Sequence, residues 1–354
     1  MKFYYTVGQK KFYNKLEAIK ENLQTGHPIR FVTPYDDGDF SIEPQSTLQE
    51  LMTDHLRELR NMYKEIKLYY SGGSDSHFIL SNILSNNIHV DEIVCLKSGI
   101  PGADYEIEKY AEPFLKLHGD KLRNTKISIK TLSIDDYRKY YKQGVTKEKI
   151  KSGAVGIHNY FRLFWPLDIF GQEFRQDVLH ITGAEKPEKN IIKHGDHYYM
   201  YLIDLDLEPH VNNYQFYSCD KKIQNKEAHK ALKNIKIGED TLLKRSTPGQ
   251  LSPKKKLFLE EGSNHIVFKG IKLYYHNEKE KVALQWSSKH APDLLQLWHE
   301  HLEQLKDYTE NKWWNHGRPE MSSVGVLSNF YCLTKNDVRT VDDLFPHGFK
   351  KSIK

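Results

Sequence analysis

The stretch LYYSGGSDSHFIL, residues 68–80, joins an apolar strand to an apolar helix through two glycines, three serines and one carboxylate. In an open α/β sheet, ligands bind at the carboxyl ends of strands, and the N-terminus of the helix that follows is an anion site. Ser71, Gly72, Gly73, Ser74, Asp75 and Ser76 fall at such a junction. Gly72 and Gly73 let backbone N–H groups approach an oxyanion closely, and Ser71, Ser74 and Ser76 add hydroxyl donors. Asp75 is the odd member, because a carboxylate repels phosphate unless a divalent cation bridges the two. The pattern therefore points to a nucleoside triphosphate held with Mg2+. It is neither the GxxxxGK[ST] loop nor GxGxxG. The plainer alternative is a turn with a helix N-cap, for which Ser, Asp and Gly are also suited.

Outward from this stretch, strands are expected at 66–70, 92–96, 126–132 and 178–183 (VLHITG), with helices at 47–63, 76–85 and 104–117. The first of these helices places Leu48, Leu51, Leu56, Leu59 and Met62 on one side, and Gly119 suits the end of the last. Strands alternating with helices indicate an α/β fold with a doubly wound, mostly parallel sheet. Ahead of it, a strand at 2–6, a helix at 11–23 (Phe12, Leu16, Ile19, Leu23) and a strand at 29–32 suggest a small βαβ-like α+β cap. Beyond it, 153–170 reads as a buried helix, 198–203 and 266–275 as strands, and 291–305 as a helix with Pro292 in its first turn. The expected division is a cap at 1–45, a central domain at 46–210 and an α+β C-terminal part at 211–354.

A chain of 354 residues is long for one average domain, and 38% hydrophobic and 12% aromatic residues can build a core. Its 52 basic and 47 acidic residues leave a net charge of +5, too mild to imply nucleic acid. Cys95, Cys219 and Cys332 are isolated, which argues against a zinc ribbon, an iron–sulfur cluster or a disulfide framework and fits a reducing cytosol. The opening MKFYYTVGQKKFYNK has no apolar stretch, so no signal peptide is expected. No run of about 18 apolar residues predicts a membrane span. The expected location is the cytoplasm, or the host cytoplasm if the source is viral, since abundant Lys, Asn and Ile fit an AT-rich genome. Charge concentrates at 221–256, where eleven Lys and Arg face three acidic residues. That segment is either a solvated helical insertion or a surface for phosphate-rich partners, nucleic acid included. His194 and His197 flank Asp196 at a spacing that suits a metal, but read better as a polar turn. Trp313 and Trp314 could stack bases, though such residues more often cover a core edge.

SGGSDS at 71–76 resembles the SGGxDS signature of the PP-loop ATP pyrophosphatases, the adenine nucleotide alpha-hydrolase-like superfamily with a HUP-type sheet. The resemblance implies that residues 71–76 grip the leaving pyrophosphate of ATP and that Asp75 binds Mg2+. It also implies adenylation of a substrate oxygen, followed by attack of a nitrogen or sulfur nucleophile. ADYEIEKYAEPFLKLHG at 103–119 looks like the asparagine synthetase helix of the form DExxxAxxxAxxLG. VLHITGAEKPE at 178–188 is similar in place to the SGEGADE loop of that branch. Thr182, Gly183 and Glu185 would then face the far side of the pyrophosphate, with Glu185 a second metal ligand and Lys186 a phosphate contact. Only one acidic residue falls where two are usual, unless Glu188 serves. The adenine contact implied is the end of the second strand, Cys95 to Lys97 with Leu96 at its centre. Lys254, Lys255 and Lys256 are matched to a late catalytic lysine, against a plain reading as surface residues.

Synthetases of this branch carry an N-terminal glutaminase that begins with a nucleophilic cysteine. Here residue 2 is lysine and about 65 residues precede the loop strand, so that domain is expected to be absent. The layout resembles short stand-alone asparagine-synthetase-like proteins of some large phages. The function expected is an ATP-dependent ligase acting on a small or peptide-borne carboxylate, with ammonia or an amine as donor, supplied in one version by a separate protein. The alternative is a PP-loop enzyme that modifies tRNA or DNA bases, favoured by the 221–256 segment. The long preamble speaks against lysidine synthetase, and the lack of paired cysteines against most thiolation enzymes. A non-catalytic nucleotide-binding module is the third reading.

Overall fold

The computed structural model describes residues 3–13, 15–97, 104–131, 133–142, 177–183, 190–202, 213–218, 220–243, 258–259, 265–268 and 328–344. Glu185, Lys186, Glu188, Lys254, Lys255, Lys256, Trp313, Trp314 and the helices expected at 153–170 and 291–305 lie outside them.

The chain opens with β1 (Tyr4–Val7) and β2 (Lys10–Phe12), paired antiparallel around Gly8 at φ +58°. After α1 (Lys15–Thr25), β3 (Ile29–Val32) returns antiparallel on the other side of β1. This corrects the expected βαβ-like cap, because residues 10–12 form a strand and β1 and β3 run in opposite directions. Phe12, Leu16 and Ile19 share a helical spacing across a strand–helix boundary, so periodicity alone misplaced it. Next, α2 (Leu48–Met62) begins at a capping box, with Thr47 Oγ1 accepting from Glu50 N–H (3.2 Å) and Glu50 accepting from Thr47 N–H (2.7 Å). Leu51, Met52, Leu56 and Leu59 are buried, whereas Met62, expected on the same side, is 72% exposed.

The central sheet follows. β4 (Glu65–Tyr69) leads into α3 (Ser74–Ser85), and then comes β5 (Glu92–Lys97). A π-helical turn, Ile107–Ala111, runs into α4 (Glu112–Leu117). β6 (Lys126–Thr131), α5 (Ile134–Lys142) and β7 (Val178–Thr182) complete the alternation. A hairpin, β8 (Asn190–His194) and β9 (His197–Tyr201), precedes β10 (Asn213–Gln215). The order across the sheet is β10-β7-β4-β5-β6, with every pairing parallel. The fold is α/β as expected, and its strand order is that of the doubly wound sheets. The order reverses between β4 and β7, which is where ligand crevices open. The expected division at residue 210 cuts through this sheet, since β10 is its edge strand.

Alternation sorts the side chains by face. Ile66, Leu68, Ile93, Cys95, Leu179 and Ile181 pack under α2, α3 and α4, together with Ile79, Leu80 and Ile83 of α3. Each such buried aliphatic contributes about 1.5–3 kcal/mol. The opposite face is charged. Lys67 pairs with Glu65 and Glu92 (3.2 Å each), and Lys126 pairs with Glu92 (3.1 Å).

A 3-10 turn, Phe216–Ser218, then leads into α6 (Lys221–Leu243). Ile223 of this helix belongs to the core of the parallel sheet. Ala228, Ala231, Leu232 and Ile235 belong to a second core with the N-terminal sheet. β11 (Phe258–Leu259), β12 (His265–Phe268), β13 (Phe330–Cys332) and β14 (Val338–Arg339) join the hairpin in a sheet of order β11-β12-β8-β9-β13-β14, followed by α7 (Val341–Leu344). His194, Gly195, Asp196 and His197 form the β8–β9 turn, with Gly195 at φ +58°. His197 Nδ1 bonds Thr334 Oγ1 (2.8 Å).

Candidate active site

The sequence folds into a tight loop at 70–76 because its own small side chains tie it. Tyr70 N–H donates to the Val94 carbonyl (2.9 Å) and so extends the ladder one residue beyond β4. Ser76 Oγ accepts from Ser71 N–H (3.2 Å), donates to the Gly73 carbonyl (3.1 Å) and lies 3.2 Å from Ser71 Oγ, which accepts from Gly73 N–H (3.2 Å). The hydroxyls of Ser71 and Ser76 thus shape the loop. Gly72 has φ +77°, and a Cβ there would sit 2.5 Å from the Glu106 carbonyl and 3.1 Å from Ala111 N. Only glycine lets the loop nest in that π-helical turn.

Gly73 is the N-cap of α3 and makes no side-chain cap bond. Asp75 stands in this turn. Gly183, just past β7, packs against it, and a Cβ on Gly183 would lie 2.7 Å from Ser76 N. Two loops from strands 113 residues apart in the chain therefore meet at the reversal of strand order, through the register Tyr69↔Thr182.

Between them lies a cleft of about 270 Å³ lined by Tyr69, Tyr70, Ser71, Gly73, Asp75, Ser76, Val94, Leu96, Thr182 and Gly183. It brings together Ser71, Gly73, Asp75, Ser76, Leu96, Thr182 and Gly183 of the residues expected from sequence. Gly72 stands behind the loop, and Ser74 begins α3. Tyr69, Tyr70 and Val94 were not foreseen. Their signal was present in the YY before SGGSDS and in the alternation of β5. Cys95 faces the helices instead of the cleft, and burial with the Glu112 charge pushes its thiol up to about 12. Lys97 is paired with Glu112 (2.6 Å) and Glu108 (3.4 Å).

Beside the Asp75 carboxylate, the aromatic wall of the cleft is uncharged. Burial raises the phenols of Tyr69 and Tyr70 well above their usual range. Tyr69 Oη lies 3.3 Å from His180 Nδ1, and Tyr70 Oη lies 2.9 Å from His77 Nδ1. Burial first, and the Lys67 charge second, push His180 down to about 4, so its ring is uncharged at neutral pH. Thr182 is 3% exposed, and its hydroxyl has no hydrogen-bond partner among the described residues. An unsatisfied buried hydroxyl beside a cleft marks a place for a polar ligand atom.

No family model matches the chain, and no curated protein matches it. Among solved structures, it is similar to the NH3-dependent NAD synthetase from Campylobacter jejuni subsp. jejuni NCTC 11168, in complex with the nitrate ion. That likeness spans 57% of this chain and 87% of the other, with 16% identity and a TM-score of 0.29, and carries no argument of its own. Among the described residues no helix is long and apolar enough to cross a membrane, and no group of three or more His, Cys, Asp or Glu is placed to hold a metal.

Proposed function

We propose that the chain is an ATP-dependent ligase of the PP-loop kind, asparagine-synthetase-like, forming AMP and pyrophosphate. One observation carries this reading. The SGGSDS loop stands where the strand order reverses, with Asp75 in an uncapped helical turn and the unpaired Thr182 hydroxyl beside the same cleft.

In this reading the first-turn amides of α3 and residues 71–76 receive the β- and γ-phosphates. Leu96, Val94 and Tyr69 give the adenine an apolar wall. One carboxylate fits Mg2+, which typically takes one or two together with substrate phosphates, and Asp75 is that group. When bound, the ion would supply positive charge against the phosphates. Glu185 and Lys186 are proposed for the far side of the pyrophosphate.

A carboxylate or amide oxygen of the acceptor attacks the α-phosphorus, and the bond to the bridging oxygen breaks with departure of pyrophosphate. Ammonia or an amine then attacks the activated carbon, the C–O bond breaks, AMP leaves, and the nitrogen's proton passes to solvent. The chain's part is positioning and charge stabilisation. The nucleic-acid alternative draws less support from 221–243 than its charge suggested. Lys226 and Lys233 both grip Glu43 (2.9 and 2.7 Å), and Lys221 and Lys236 lie over the rings of Phe40 and Tyr198.

The test is pyrophosphate release from ATP and Mg2+, scanned over amino acids with ammonia, then over tRNA and DNA, with Asp75→Asn as control. Release with one acceptor class, lost in the variant, is expected. Stimulation by nucleic acid alone, steeply weakened by salt, moves the assignment to the alternative.

A further inference from the structure

We infer that Tyr217 is a positioning residue for the Asp75 turn, which makes the segment from β10 to α6 part of the active site. The inference rests on the functional reading above. Tyr217 follows Asp75 by 142 residues, yet its hydroxyl donates to the Asp75 carbonyl at 2.8 Å. The side chain is completely buried.

Three contacts fix it there. β10 pairs with β7 in the register Gln215↔Thr182, which delivers the 3-10 turn beside the end of the strand that carries Thr182 and Gly183. The side-chain amide of Gln224, on the first turn of α6, donates to the Tyr217 carbonyl at 2.5 Å. The ring of Phe216 stands edge-on to Tyr217 at 5.6 Å and lies 5.6 Å from His55 of α2.

The need for such a brace follows from the missing cap. A helix that offers its first amides to a ligand cannot also cover them with an N-cap side chain, and an uncapped turn frays. Gly183 packs on this turn at Ser76 N, and Tyr217 holds it at the Asp75 carbonyl. The turn is thus held at two points, neither of them an N-cap side chain. A brace of this kind sets where the Asp75 carboxylate points without touching nucleotide.

The test compares wild type, Tyr217→Phe, Asp75→Asn and the double variant by amide hydrogen exchange over residues 74–80 and by calorimetric Mg·ATP binding. Tyr217→Phe keeps the ring and removes one donor. It should speed exchange at 74–80 several-fold and weaken Mg·ATP about 5-fold. In the Asp75→Asn background it should weaken binding less than 2-fold, because the group it orients is gone. Gln224→Leu, which releases Tyr217 at its carbonyl, should speed exchange at the same residues. Unchanged exchange in Tyr217→Phe, or equal weakening in both backgrounds, overturns the inference and leaves the functional reading standing. A wild-type chain that takes up no Mg·ATP, with exchange still faster in the variant, refutes the functional reading and reduces Tyr217 to a structural residue.

Discussion

The parallel and antiparallel sheets treat charge on their faces in opposite ways. In the antiparallel sheet, among the described residues, both faces of β8, β9 and β13 carry buried apolar side chains. Ile191, Tyr198 and Met200 enter one core with the N-terminal sheet and α6, while Ile192, Tyr199, Tyr201, Phe330 and Cys332 enter another with Leu344. In the parallel sheet, among the described residues, one face is apolar under helices, and the other carries Glu65, Lys67, Glu92, Lys126 and His180. That polar face reaches the cleft at Tyr69 and Thr182. One sheet buries apolar residues on both faces, and the other keeps an unsatisfied hydroxyl and ionisable groups beside a cleft.

Truncating the antiparallel sheet should have the largest effect. Ile191→Ala opens a cavity in a fully buried position and should cost about 2–5 kcal/mol by urea unfolding. Gly72→Ala comes next. It must adopt a left-handed φ and press a Cβ 2.5 Å from the Glu106 carbonyl, costing about 2–4 kcal/mol. Gly26→Ala isolates the backbone part, because Gly26 has φ +72° with open space around it, and should cost only about 1 kcal/mol.

The charged face should show in pH. His180 titrates near 4 when folded against 6.5 when free. Between those values the unfolded chain binds the proton and the folded chain does not. Stability should therefore fall with falling pH across that window, with a slope of up to about 1.4 kcal/mol per unit. His180→Gln, read by urea midpoints at several pH values, should flatten it. Burial alone would raise the Glu92 carboxyl, but bonds from Ser128, Lys126 and Lys67 outweigh this and bring it to about 2. Its contribution is present above pH 4.5 and lost only toward 2. The smallest change in stability belongs to Thr182→Val. Removing an unpaired buried hydroxyl should be neutral or stabilising by up to about 1 kcal/mol, while Mg·ATP binding weakens in calorimetry. A large loss of stability there would erase the contrast between the two sheets.

The parts legible in the sequence were those whose cause is local. The SGGSDS loop, the β–α alternation and the apolar strands each declare themselves within a dozen residues, and the structure places them at one crevice. The expected N-terminal helix overran because Gly8 and Gln9 turn the chain into a hairpin whose second strand shares the helix's apolar spacing. Met62 fits the apolar stripe of α2 but lies on its exposed end. The pairing of β13 with β9, and the reach of Tyr217 to Asp75, join residues more than a hundred positions apart. No period or motif encodes such meetings, because they join segments distant in the chain.

The most direct measurement is 31P NMR of ATP turned over by the whole chain with Mg2+ and the acceptor found in the release scan. AMP and pyrophosphate signals that disappear in Asp75→Asn are the expected result. ADP with inorganic phosphate, or products unchanged in Asp75→Asn, would contradict the assignment of the β4–β7 crevice to chemistry at the α-phosphorus.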